Sequence, residues 1–285
     1  MRVVTDGADD SRSRRTAVIG DVAGHLDELR RELTRLGADQ HSGELPPDLT
    51  IVQVGDLIHR GPASDGVVAL VDHYLTEQPE QWVQLVGNHE AQYLRQPLFD
   101  WPERVAPESI KTLRRWWATG QLRVAASVVT DHEGFLVTHA GLTAGFWRQV
   151  LGAPTDVEEA ARALNGLIGT AEDVLFRPGH MLGGRRKDPA AGPLWAATTT
   201  ELAPGWMRTP LPFSQVHGHA SAFDWRHRKF RGPQQLARLA TVDEVTKHVT
   251  LTLEGGRIIG IDPGHGHRAQ RPWQAWEAQT VVGPR

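Results

Sequence analysis

Cysteine is absent from the 285 residues, which excludes disulfides, thiolate metal sites and a cysteine nucleophile. Acidic and basic residues nearly cancel, 34 against 31 for a net charge of −3, so no global field gathers nucleic acid or an anionic membrane surface. No apolar run approaches the roughly 18 residues that span a bilayer, and the opening MRVVTDGADDSRSRR has no apolar h-region. These absences predict a soluble, cytoplasmic protein with neither nucleic acid nor membrane as partner, and residues 1–15 as a disordered leader. Tyrosine is scarce, 2 residues, whereas histidine is plentiful at 14 and recurs as HGH at 217–219 and 265–267. That excess points toward metal chemistry. Hydrophobic residues make up 40% and charged residues 23%, enough to bury a sizeable core.

The apolar run 17–20 ends at Gly-Asp and is followed by Leu26, Leu29, Leu33 and Leu36 at helical spacing. The same order of strand, polar loop and helix returns at 50–54 with GDLIHRGPAS and at 82–86 with GNHE. Such repeats predict an α/β sheet that delivers functional loops at the carboxyl ends of its strands. Residues 108–118 read as a helix, 122–129 and 135–141 as paired strands around DHEG, and Thr155 with Glu158 as a capping box opening a helix to about Ile168. Glycine and proline are frequent over 176–213, which predicts a long irregular segment near the site. A hairpin around EGG at 254–256 precedes a tail rich in Trp, Pro and Arg. No repeat divides the chain, so 16–285 is expected to form a single domain.

Five short motifs stand in order: GDVAG at 20–24, GDLIHRG at 55–61, GNHE at 87–90, HAG at 139–141 and GH at 218–219. Asp21, Asp56, Asn88, His139 and His219 are oxygen and imidazole donors suited to Mn, Fe or Zn. A Gly-Asp pair after a strand is ordinarily a turn, and a lone His139 would be a core histidine. A specified tetrapeptide such as GNHE, however, arises by chance only about once in 10⁵ positions, and the ordered series is far rarer.

Over residues 17 to about 220 these loops resemble the calcineurin-like metallophosphoesterases, most closely the bacterial PPP-type serine/threonine phosphatase-like branch, with its D-x-H-G, G-D-x-x-D-R-G, G-N-H-E, H-G/A-G and late histidine. The resemblance implies a metallo-dependent phosphatase fold, a central β-sandwich flanked by helices. It implies two divalent metal ions, with Mn2+ ahead of Fe or Zn: Asp56 bridging, Asp21 on the first, and Asn88, His139 and His219 on the second. His89 would be the general acid, Glu90 its support, and Arg60 a phosphate-binding group. Two positions depart from the pattern. Ala23 stands for the histidine of D-x-H-G, which weakens the first metal site, and His59 for the second aspartate of G-D-x-x-D-R-G, at the catalytic end beside His89. His25 or His59 could refill the first site. Arg185 and Arg186, within GGRRKDPAAGPLW, are further substrate-binding candidates, or a solvated basic turn.

The expected activity is hydrolysis of a phosphomonoester or phosphoanhydride in a phosphorylated small molecule, nucleotide or phosphoprotein. The alternatives are a pseudo-phosphatase that binds a phosphorylated ligand without turnover, and a hydrolase of dinucleoside polyphosphates.

Overall fold

The computed structural model describes residues 14–183 and 186–280. Two sheets make a sandwich. In the first, β1 (Arg14–Ile19), β2 (Leu49–Gln53), β3 (Trp82–Leu85) and β4 (Leu122–Arg123) run parallel, and β13 (Trp276–Thr280) closes the edge antiparallel to β1. The second has the order β10 (Ala240–Asp243), β11 (His248–Leu253), β12 (Gly256–Gly260), β7 (Ser214–His217), β6 (Gly134–Thr138), β5 (Ala125–Val129). Within it β12, β7 and β6 are mutually parallel. The short ribbon of β8 (Phe223–Asp224) and β9 (Lys229–Phe230) stands apart.

Alternation along the strands explains why they read as continuous apolar runs. Val18, Val52 and Leu85 point between the sheets, against Val137, Val216 and Ile259. Ala17, Ile19 and Ile51 point the other way, beneath α1 (Leu26–Leu36), α2 (Ser64–Glu77) and α4 (Pro107–Ala118) through Leu29, Val67, Leu113 and Trp116. A strand buried on both faces needs apolar residues at successive positions. Gly37, with φ 106°, ends α1 in a left-handed turn and returns its N–H to the Leu33 and Thr34 carbonyls, a conformation that glycine adopts without Cβ strain. The helix α3 (Asn88–Leu94) begins directly after β3.

The expected β-sandwich flanked by helices is what the chain builds, with some boundaries moved. Residues 1–13 of the expected leader lie outside the described residues, and Arg14 and Arg15 already belong to β1. The helix predicted from Thr155 is capped one residue later: Asp156 accepts the Glu159 N–H at 2.8 Å, and the helix spans Val157–Gly166, stopping short of Ile168. Aspartate is the stronger N-cap of the two. The segment 176–213 contains short helical pieces, including a π-turn at Thr198–Leu202. The tail supplies β13, which no alternating pattern announced. Among the described residues no helix is long and apolar enough to cross a membrane.

Phe135, 1% exposed, fills the sandwich against Trp276 at 4.7 Å between ring centroids. Phe135→Ala is expected to lower unfolding free energy by about 3–5 kcal/mol, measured by urea denaturation. A loss below about 1 kcal/mol would show that this layer repacks and is not a rigid base for the loops.

Candidate metal centre

Six parallel strands, three in each sheet, point their carboxyl ends at one place. From the first sheet β1 delivers Asp21, β2 Asp56 and β3 Asn88; from the second β6 delivers His139, β7 His219 and β12 Asp262. Glycines let these loops touch. A Cβ on Gly87 would lie 2.3 Å from the Asp56 nitrogen, and one on Gly218 would lie 2.1 Å from Asp21 Oδ1. Ala23, Asp56, His59, Arg60 and His219 all take positive φ, between 48° and 71°. Strained backbone of this kind persists where surrounding contacts impose it, and it gathers at functional sites.

The central donors leave a charge unbalanced. His139 Nδ1 donates to the Val54 carbonyl at 2.9 Å, so in the neutral ring Nε2 carries a lone pair. That nitrogen faces Asn88 Oδ1 at 2.8 Å and Asp56 Oδ1 at 3.3 Å, both acceptors. His219 Nδ1 meets the same Asn88 oxygen at 2.8 Å, and its Nε2 is buried without a partner. Burial, with His219 beside it, pushes His139 well below the ordinary imidazole range, and burial holds His219 at about 3, so neither ring carries the extra proton that would join these acceptors. Ligand atoms of Asp56, His139 and His219 lie within 4.8 Å of one another. The lone pairs of His139 Nε2, Asp56 Oδ1 and Asn88 Oδ1, which the His139 hydrogen does not join, suit a cation, and two imidazoles with oxygen donors suit Zn2+, Mn2+ or Fe.

The surrounding groups fix this geometry. Glu90 is fully buried and takes three backbone N–H groups: Asp56 at 2.8 Å and Gly87 at 2.9 Å on Oε2, Leu57 at 2.9 Å on Oε1. Through them it clamps the β2 and β3 loops together. Asp56 Oδ1 accepts the His89 N–H at 3.0 Å, and the His219 N–H lies 2.9 Å from Asp21 Oδ1. Burial raises Asp56 to about 7 against the opposing His89 N–H and Arg60, and burial raises Asp21 well above the ordinary carboxylate range, with help from Asp262 and Asp56.

His89 Nδ1 donates to the Ile58 carbonyl at 3.0 Å, leaving Nε2 at 3.5 Å from Asp56 Oδ2. His59 does not restore the missing carboxylate. Its Nε2 pairs with the Tyr93 hydroxyl at 2.7 Å, and its ring stacks on Trp101 at 4.7 Å and 10°. His25 places Nε2 on the Gly266 carbonyl at 2.8 Å. Neither is among the donors gathered with Asp56, His139 and His219, and His59 Nδ1 is buried without a partner. Arg60 donates to the His265 carbonyl at 3.0 Å, which ties the C-terminal HGH segment over the β1 and β2 loops.

Arg185 lies outside the described residues, and Arg186 is exposed. A different pair of arginines lines a cleft of about 670 Å³ beside the centre. Asn88, Ala91, Gln92 and Arg95 follow helical spacing, so the face of α3 that bears Asn88 continues into this cleft. Phe176, Arg177 and Trp195 form the other wall, and the Trp195 ring stands 6.1 Å from that of His219. Sequence reasoning missed Asp262, although GID after a strand repeats the pattern of GD at 20–21. It also missed Glu201, whose buried carboxylate accepts the N–H groups of His180, Asp188 and Ala197 and so folds the irregular segment around Trp195.

A family model of calcineurin-like phosphoesterases matches residues 14–231. A zinc-dependent endopolyphosphatase of Saccharomyces cerevisiae is 33% identical over 129 residues, covering 44% of this chain and 36% of that protein. The chain thus spans about a third of the length of that curated relative. A cold-active protein tyrosine phosphatase structure aligns over 88% of this chain and 70% of its own, with 17% identity and a TM-score of 0.53. A second structure, of the cold-active protein-tyrosine phosphatase of a psychrophilic Shewanella, gives 16% identity and 0.49, with 88% and 71% covered. The TM-score of 0.53 supports the shared fold.

Asp56 at about 7 stands above its ordinary 3.8, so below neutrality the metal-free protein holds a proton that a cation must displace. Metal affinity is therefore expected to rise with pH up to about 7 and then flatten, by about tenfold per pH unit for each displaced proton. Calorimetric titration with Mn2+ at about pH 6 and about pH 8 measures it. Equal or tighter binding at the lower pH would contradict a protonated Asp56.

Proposed function

Because the chain belongs to the calcineurin-like phosphoesterase family, we propose that it hydrolyses a phosphomonoester or phosphoanhydride at this centre, with Asp56, Asn88, His139 and His219 holding one divalent cation and Asp21 with Asp56 a second. The convergence of Asp56, Asn88 and His139 lone pairs is the observation that carries the reading. Such cations supply water activation near neutral pH and neutralise phosphoryl oxygens. The protein's own groups do the rest. Arg60 offers its remaining N–H donors to a phosphoryl oxygen while anchored on His265. His89 holds one proton on the Ile58 carbonyl and must take another at Nε2 to protonate a leaving oxygen. Burial and Arg60 hold it at about 3, and His59, itself neutral, supplies no compensating charge.

The substrate beyond its reacting phosphoryl group occupies the cleft between α3 and Trp195. Arg95 sits over the Phe176 ring at 4.7 Å and pairs with Asp173, and Arg177 donates to the Ala190 carbonyl at 3.3 Å. These arginines are substrate-binding candidates beside Arg186. The yeast relative's action on polyphosphate makes a phosphoanhydride a suitable first substrate to assay, alongside an aryl phosphate.

Stripping the metal with a chelator, or changing Asn88 or His139 to Ala, is expected to reduce aryl phosphate hydrolysis by at least about 10³-fold, and divalent ion should restore the stripped wild type alone. Metal-free protein as active as loaded protein would refute the centre. Metal binding with tight phosphate binding but no turnover would identify a pseudo-phosphatase, the outcome that Ala23 and His59 favour.

His89→Ala should chiefly lower kcat, by about 10²-fold or more for an alkyl leaving group and much less for a nitrophenolate, which leaves without protonation. Arg60→Ala should instead raise KM. An equal His89 penalty for both leaving groups would remove His89 from the acid role.

A further inference from the structure

The HGH motif at 265–267 is not among the donors gathered at the metal centre. It lies on a strap, residues 261–275, that runs without regular structure from β12 to β13. The far end of the strap is pinned to α1. Glu28, a buried carboxylate, accepts Arg271 Nε at 2.6 Å on Oε1 and the Trp273 indole N–H at 3.2 Å on Oε2, and Glu32 Oε1 accepts the Ala275 N–H at 2.6 Å. The middle is pinned by His25, which precedes the same helix. A carbonyl can only accept, so His25 Nε2 donates to Gly266 at 2.8 Å. Within the strap the Gln270 N–H reaches His265 Nδ1 at 2.9 Å.

Secured in this way, the motif grips Arg60 at two points. The His265 carbonyl accepts Arg60 Nη1 at 3.0 Å, and His267 Nδ1 donates to the Arg60 carbonyl at 3.1 Å. Glu103 Oε1 stands 3.8 Å from the same His267 nitrogen, beyond hydrogen-bond reach. The backbone of Arg60 requires restraint, because its φ of 63° is a left-handed conformation that a residue with a Cβ keeps only where contacts impose it. The Gly61 N–H closes the turn on the Ala23 carbonyl at 2.8 Å, so with His267 both polar groups of the Arg60–Gly61 peptide are engaged. The side chain requires restraint as well. Its charge reaches the buried carboxylates of Asp21, Asp56 and Asp262, and a guanidinium that folded onto them would have its donors consumed. The neutral His265 carbonyl instead occupies one nitrogen and leaves the other donors for an incoming anion.

Resting on the reading of Arg60 as a phosphoryl-binding group, we propose that the HGH strap holds Arg60 in position for the phosphoryl oxygens of the substrate, with His267 and His25 as its positioning residues. His267 fixes the peptide of Arg60, and His25 fixes the carbonyl next to the one that carries the guanidinium. Neither touches the substrate. Their loss lets Arg60 turn away from the anion, so affinity for the phosphoryl group falls while the chemical step is spared.

The test uses the full, metal-loaded chain with two readouts: KM and kcat for an aryl phosphate, and affinity for inorganic phosphate by calorimetry, which needs no turnover. His267→Ala is expected to raise KM and weaken phosphate by about five- to tenfold, the effect of one lost hydrogen bond, with kcat within about twofold of wild type. The His267 side chain is 86% exposed, so the melting temperature should not move. Asparagine places an amide N–H where imidazole carries Nδ1–H, and His267→Asn should therefore keep wild-type affinity. His25→Ala should act in the same direction as His267→Ala, and His25→Gln, which offers an N–H in place of Nε2, should recover it. In an Arg60→Ala background, His267→Ala should add nothing. His267→Ala that binds phosphate as wild type does, or that weakens it equally with and without Arg60, overturns the proposal. Arg60→Ala with unchanged phosphate affinity sinks the reading of Arg60 and this inference with it, whereas a weakened Arg60→Ala beside unaffected His267→Ala and His25→Ala sinks this inference alone.

Discussion

A carboxylate and an amide oxygen turned toward the lone pair of one imidazole, with a second imidazole beside them, are the constraint on which this molecule is organised. His139 Nε2 cannot donate to Asp56 or Asn88 while its ring hydrogen is committed to Val54, and the single hydrogen of a neutral His219 can reach Asn88 at most. Groups of this kind are costly to hold together in a buried place. The rest of the fold answers that cost. Two sheets contribute three parallel strands each, their carboxyl ends meet, and Glu90 ties the loops after β2 and β3 by their backbones. The positive φ values at Ala23, Asp56, His59, Arg60 and His219 show the backbone yielding to the same demand.

The two ends of the centre are buried to similar degrees but differ in chemistry. At one end, burial favours neutral imidazoles, and a neutral imidazole is the form that coordinates a metal. At the other, burial raises Asp262 and, with Asp262 and Asp56 beside it, Asp21, which opposes the form that coordinates. The imidazoles are therefore in their coordinating form across neutral pH, whereas the aspartates, the shared Asp56 among them, must release protons first. The departures at positions 23 and 59 fall on the weaker side.

Much of this was legible in the sequence, for identifiable reasons. Strands β1, β2 and β3 are buried on both faces, so they read as apolar runs, and each ends in a glycine-bearing motif whose residue types are rare in combination. The motif residues Asp21, Asp56, Asn88, His139 and His219 do come together. What was not legible depends on tertiary contact. Asp262 follows a strand that was recognised, yet its proximity to Asp21 exists only because β12 lies parallel to β7 and its end abuts Gly20. Whether His25 or His59 could serve as a ligand was undecidable from spacing, because the orientation of each ring depends on distant partners: Gly266 and Tyr93 hold one nitrogen of each, and His59 Nδ1 is left buried without a partner. The cleft arginines Arg95 and Arg177 sit in no motif, and only the folding of the segment around Glu201 sets Arg177 opposite α3.

His89, proposed as the general acid, is coupled to the departure at position 59. A carboxylate at position 59 would favour a second proton on His89; an imidazole held neutral between Trp101 and Tyr93 does not. Glu103 is a negative group acting on both rings, but in each case burial outweighs it. A buried acid without a paired carboxylate is rarely charged near neutrality, so it serves best where little protonation is needed. Leaving groups that are already weak bases, such as the oxygens of phosphoanhydrides and aryl esters, make the smallest demand on it. If His89 is the acid proposed above, position 59 bears on which leaving groups are accepted, even though its side chain turns to Tyr93 and Trp101.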